Sequence, residues 1–103
     1  MTCLEWTDPA VADLENIQDY LAKDSVEYAD AVIERLVLSV ERLESFPQSG
    51  RPVPEATDLK VRDIIVSGYR IVYRLKKGRA LILGVIHGAR HLAGMKPKPW
   101  DKA

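Results

Sequence analysis

Two amphipathic segments with almost no chain between them constrain this fold most. Ala10, Leu14, Ile17 and Leu21 recur at spacings of four, three and four, one apolar face of a helix. Ala29, Ile33, Leu36, Val40 and Leu43 continue the pattern, and Val26, Val32, Val37 and Phe46 widen the stripe. The first helix is predicted to start at Asp8, an N-cap with Pro9 in the first helical position, and to end near Lys23. The second starts at Asp24-Ser25, with Asp24 and Glu27 as a capping-box variant, and runs to about Ser45. Asp13, Glu15, Gln18 and Asp19 lie off the apolar face and are expected in solvent. So short a connection makes the pair an antiparallel hairpin. Neither helix can bury its apolar face alone, so a second layer is required.

The rest of the chain supplies it as strands. Cys3–Trp6 reads as a short first strand with Leu4 and Trp6 on one face. Pro47, Gly50, Pro52 and Pro54 predict a loop over 47–58. Strand character returns from Lys60 to Val66, and Ser67-Gly68 is a tight-turn signal. Tyr69, Ile71, Tyr73 and Leu75 then alternate with Arg70, Val72 and Arg74. Lys76-Lys77-Gly78 turns the chain again, and Ala80–Ile86 is apolar on both faces, as a central strand must be. After His87 the chain leaves the sheet, and Pro97 and Pro99 make 92–103 an irregular tail. The expectation is one α+β domain over 1–103, in the order β-α-α-β-β-β. A helical hairpin packs on one face of a mainly antiparallel four-stranded sheet. The other face is partly open and displays Arg70 and Arg74.

Composition bounds the chemistry. The single cysteine, Cys3, excludes an internal disulfide and thiolate metal sites, and reads as a small hydrophobe on a strand in a cytoplasmic protein. No leader and no run near the ~20 apolar residues of a membrane span are visible, so no membrane partner is expected. Gly-rich phosphate loops, Cys/His metal spacings and nucleophile elbows are absent, so neither cofactor nor metal is expected. The formal net charge is zero but divided. Residues 1–52 hold four Lys/Arg and eleven Asp/Glu, a balance of −7; residues 53–103 hold eleven and four, a balance of +7. The second half either presents a basic surface to an anionic partner or is neutralised by the first on folding. Both helices are acidic, which excludes a helix-turn-helix DNA reader.

Four segments together resemble one family. Trp6-Thr7-Asp8-Pro9-Ala10-Val11-Ala12-Asp13-Leu14-Glu15-Asn16-Ile17 is similar to the opening of ParE-like toxins. Leu43-Glu44-Ser45-Phe46-Pro47-Gln48-Ser49-Gly50-Arg51 resembles their Pro/Gly-Arg loop. Gly68-Tyr69-Arg70-Ile71-Val72-Tyr73-Arg74 matches the superfamily's central strand, and Val85-Ile86-His87-Gly88-Ala89-Arg90 its terminal segment. These span residue 6 to about residue 91. The resemblance is to RelE/ParE superfamily toxins of type II toxin–antitoxin systems, nearer the ParE-like, plasmid-stabilisation branch. It implies a growth inhibitor neutralised by a cognate antitoxin, which meets operator DNA through its own domain. ParE-like members inhibit DNA gyrase by binding; RelE-like members cleave mRNA on the ribosome.

The residues favour binding over chemistry. Cleavage at a 2′-hydroxyl needs a base, an acid and cations around the phosphorane. Of the groups the RelE branch uses, Arg70 and Arg90 match by position. Asp63 and Val61 stand where lysines are expected, and no tyrosine follows Tyr73. An aspartate there repels phosphate. His87 and His91 are the remaining acid/base candidates, against strand-end packing for the first and a solvated loop for the second. Arg70 has its own structural alternative, a cross-strand pair with Asp63. Arg74, Lys76, Lys77 and Arg79 read as a solvated basic hairpin. Trp100 is either an interface anchor or folds back on the sheet. Arg62, Arg70, Arg74, Arg90 and Trp100 are thus the partner-binding candidates, and Arg70, Arg90, His87 and His91 the catalytic set if the chain is a nuclease. A homologue that binds antitoxin without toxicity is the third reading.

Overall fold

A computed structural model describes residues 2–88 and 98–102 of the chain. Its elements are β1 (Cys3–Trp6), α1 (Asp8–Ala22), α2 (Val26–Glu41), a 3-10 turn (Arg42–Glu44), β2 (Arg51–Pro52), β3 (Val61–Val66), β4 (Tyr69–Lys76), β5 (Arg79–His87) and a last 3-10 turn (Pro99–Lys102). The sheet has five strands in the order β1-β5-β4-β3-β2. β1 runs parallel to β5, and all other pairs are antiparallel. The expected α+β layering is present; the extra strand is β2, two residues inside the predicted loop.

The helix starts differ from expectation by one residue each. Thr7, not Asp8, caps α1, its side chain accepting from the Ala10 N–H. Ser25, not Asp24, caps α2 through the Tyr28 N–H. In both places two capping residue types stand side by side, and the backbone selects the one that is extended. α2 stops at Glu41 and tightens into the 3-10 turn, so Phe46 lies beyond the stripe and is exposed, as is Val26.

The first core lies between the helices and the sheet. Ala10, Val32, Leu36, Val40 and Leu43 meet Ile71, Tyr73, Ala80, Ile82 and Val85 there. β1 ends too early to pair with all of β5, so α1 finishes that edge. The Thr7 N–H and hydroxyl both donate to the Ile82 carbonyl, and Asp13 accepts the Val85 N–H at 2.9 Å. Asp13 is therefore half-buried structure and not a solvated residue. Between these two anchors β5 takes one extra residue, Leu83, relative to β4.

The opposite face, expected to be partly open, is covered. Val53, Val61, Val72, Leu81, Leu83 and Ile86 bury a second cluster there, with Ala56 and Trp100 packed against it. Arg70 belongs to this face and is only 6% exposed. Its guanidinium meets Asp63 Oδ2 at 2.6 Å and Glu55 at 3.0 and 3.1 Å. Asp63 also accepts from Arg51 Nε at 2.9 Å. Four charges from β2, β3, β4 and the 53–58 loop thus close one network, and Asp63 within it is fully buried. Hydrogen bonds from Arg70 hold the Glu55 carboxyl below its usual 4.5, and the same bonds raise Arg70.

A second lock fixes the start of the loop. Tyr73 is fully buried, accepts the Gly50 N–H at 3.0 Å and donates to the Pro47 carbonyl at 2.8 Å. A Cβ on Gly50 would lie 2.5 Å from the Tyr73 oxygen and 2.6 Å from the Asp63 carbonyl oxygen. Gly50→Ala should therefore cost about 1–3 kcal/mol in urea unfolding, since no flexible group can yield. Arg70→Met should cost about 3 kcal/mol by leaving Asp63 and Glu55 short of a cation, and Asp63→Leu added to it should restore part of the loss. A double variant no more stable than the single one would contradict a buried pair. Because the folded-state pKa of Glu55 is lowered, its contribution is full above pH 4.5 and is lost as pH falls through the lower folded value. Acid titration of stability should accordingly be shallower in Glu55→Gln.

Candidate partner interface

The locked loop sets one edge of a basic groove. Tyr73 and Gly50 fix residues 47–50, and Arg62 of β3 donates to the Gly50 carbonyl at 2.7 Å and the Gln48 carbonyl at 3.4 Å. The β4–β5 turn, set by Gly78 at a positive φ of 70°, brings Lys76 and Lys77 to the same end of the sheet. Gln48, Leu59, Lys60, Arg62, Leu75, Lys76 and Lys77 enclose about 420 Å³ there. Among the described residues no carboxylate lines it. Leu59 is exposed and Leu75 half-buried, so the groove offers apolar surface between cations. Its charge and apolar floor are complementary to an acidic segment with an apolar face.

The sequence-derived candidates separate in space. Arg62 lines the groove. Arg74 lies on the opposite sheet face, where its Nη2 donates to the Trp100 carbonyl at 3.1 Å. Trp100 itself packs on the second core cluster, the fold-back alternative. Arg70 makes the cross-strand pair with Asp63 that its position allowed. His87 stands exposed at the end of β5, opposite Tyr69, their rings edge to face at 5.5 Å. Tyr69 and Arg70 are neighbours on one strand and face opposite ways, so His87 and Arg70 lie on opposite faces of the sheet. Arg90 and His91 lie outside the described residues. Cys3 is on the first strand as expected, but exposed.

Lys60, Lys76 and Lys77 were legible only as charge, because β3 and β4 must pair before they meet. Glu55, a loop residue without periodicity, gave no signal. Among the described residues there is no group of three or more His, Cys, Asp or Glu able to hold a metal, and no helix is long and apolar enough to cross a membrane.

Comparison with known proteins gives one consistent answer. The model of the ParE toxin of the type II toxin–antitoxin system parDE matches residues 4–92. Y4kP of Sinorhizobium fredii, which carries a toxin name, is 34% identical over 86 residues, covering 82% of this chain and 85% of that protein. Toxin RelE2 of Caulobacter vibrioides is 32% identical over 90 residues, covering 87% and 99%. A structure of the chromosomal ParDE toxin–antitoxin system from P. aeruginosa superposes with a TM-score of 0.71 at 27% identity, covering 84% of this chain and 96% of that one. The four motifs, the layered fold and these matches agree: the chain belongs to the ParE toxin family of type II toxin–antitoxin systems.

Proposed function

We propose that this toxin inhibits growth by binding, with DNA gyrase as its target, and that a cognate antitoxin neutralises it from the basic groove. The observation that carries the binding reading is the state of Arg70. A phosphate-stabilising arginine needs free N–H groups facing substrate. Here the guanidinium is buried against two carboxylates, and His87 is on the other face of the sheet. This arrangement supports a binder over a ribosome-dependent ribonuclease. The groove of Lys60, Arg62, Lys76 and Lys77 with Leu59 supports an acidic, amphipathic antitoxin segment as its occupant.

Two measurements test this reading. Purified toxin added to gyrase and relaxed plasmid should block supercoiling, and antitoxin should relieve the block; normal supercoiling by folded toxin in excess removes gyrase as target. Lys60→Glu with Lys77→Glu should weaken antitoxin binding at least tenfold, roughly the scale of one or two lost charge contacts, and wild-type affinity should fall as salt rises. Unchanged affinity in the double variant would place the antitoxin elsewhere.

A further inference from the structure

A second groove lies at the other end of the β3–β4 hairpin, roughly 17 Å away at five strand residues of ~3.4 Å each. Asp13, Asn16, Ile17, Tyr20 and Leu21 of α1, Tyr28 of α2, and Ser67, Tyr69 and Val85–His87 of the sheet enclose about 630 Å³. Its character is the reverse of the basic groove. Tyr20 is 69% exposed and Tyr28 58% exposed, and neither contributes to the first core. Tyr69 lies close to both: burial first, then the charge of Tyr28 and Tyr20, raises its phenol. The rings of Tyr69 and His87 meet edge to face and close the sheet side. Val26, the first residue of α2, is also exposed.

The helical hairpin that carries Tyr20 and Tyr28 is acidic; a cation at the groove's rim is Arg35 of α2, whose Nη1 donates to the Ser67 hydroxyl at 3.1 Å. α1 brings Asp13, Glu15 and Asp19 and no cationic side chain, and Asp13 lines the groove, where it accepts the Val85 N–H. The chain between Tyr20 and Tyr28 holds Asp24 and Glu27 against Lys23 alone. Lys23 already shows what the surface accepts: its ammonium lies 5.8 Å from the Tyr20 ring centroid. Exposed tyrosines beside carboxylates attract guanidinium and ammonium groups by the ring quadrupole and by charge together.

We propose that this tyrosine-lined groove docks a basic amphipathic helix of a partner protein, seating Arg or Lys side chains over Tyr20 and Tyr28. The partner's chemistry is opposite to that of the acidic segment assigned to the other end. The inference therefore stands apart from the antitoxin reading and survives its failure. Two ends of opposite charge let the chain hold two segments at once.

The probe is a fluorescein-labelled 18-residue helix of Leu and Arg at amphipathic spacing, with a Leu/Glu counterpart, titrated into the full chain by anisotropy. The Arg peptide should bind, and amide shifts in a ¹⁵N spectrum should centre on Ile17–Tyr28, Tyr69 and His87. Tyr20→Ala with Tyr28→Ala, both exposed and so compatible with folding, should weaken it at least tenfold. Lys60→Glu with Lys77→Glu should leave the shifts in the tyrosine groove. Equal binding by the tyrosine variant, equal binding of the Glu peptide in this groove, or shifts centred elsewhere would overturn the proposal. So would self-association of the chain that the tyrosine variant abolishes, since the occupant would then be a second copy.

Discussion

The buried pair of Arg70 and Asp63 is the interaction on which the rest of this structure depends. Two charges without water are costly unless each finds several partners. Asp63 therefore takes Arg51 as well as Arg70, and Arg70 takes Glu55. Those demands draw β2 and the 53–58 loop onto the sheet. The loop in turn covers Val61 and Val72 with Val53 and closes the second core cluster. Tyr73, on the other face of the same strand, holds the loop's start through Pro47 and Gly50. One strand, β4, thus fixes the irregular segment from both sides.

Function follows from what this network consumes and what it leaves. It uses the arginine best placed to stabilise phosphate and neutralises it with carboxylates. It leaves Lys60, Arg62, Lys76 and Lys77 around an apolar groove at one end of the sheet. The acidic helices meet at the other end, around exposed tyrosines. A net charge of zero conceals this polarity, and the division of charge between the two halves of the chain is its sequence trace. In this ParE-family fold the strands are the frame that separates the two surfaces.

Much of this frame was legible because periodicity reports burial. The alternation from Tyr69 to Leu75 placed Ile71 and Tyr73 under the helices and Val72 on the far face, and the apolar run Ala80–Ile86 marked the central strand. Other features have no periodic trace. β2 is two residues including a proline, too short for any pattern. The parallel pairing of β1 with β5 is decided by how the helical hairpin returns the chain. Asp13 became an acceptor only because β1 ends before β5 does. The far face was expected to be partly open and to display Arg70 and Arg74; carboxylate partners for the first and the Trp100 carbonyl for the second made burial possible.

Arg70 serves the fold, and the proposed binding function requires that the toxin cut no RNA. This requirement is tested most directly by adding the toxin to a translation extract and mapping the 5′ ends of the translated mRNA. The account predicts an end pattern identical to that of the toxin-free extract at concentrations that arrest growth. New ends within the reading frame that require translating ribosomes, and that disappear with Arg70→Lys while the protein stays folded, would contradict it.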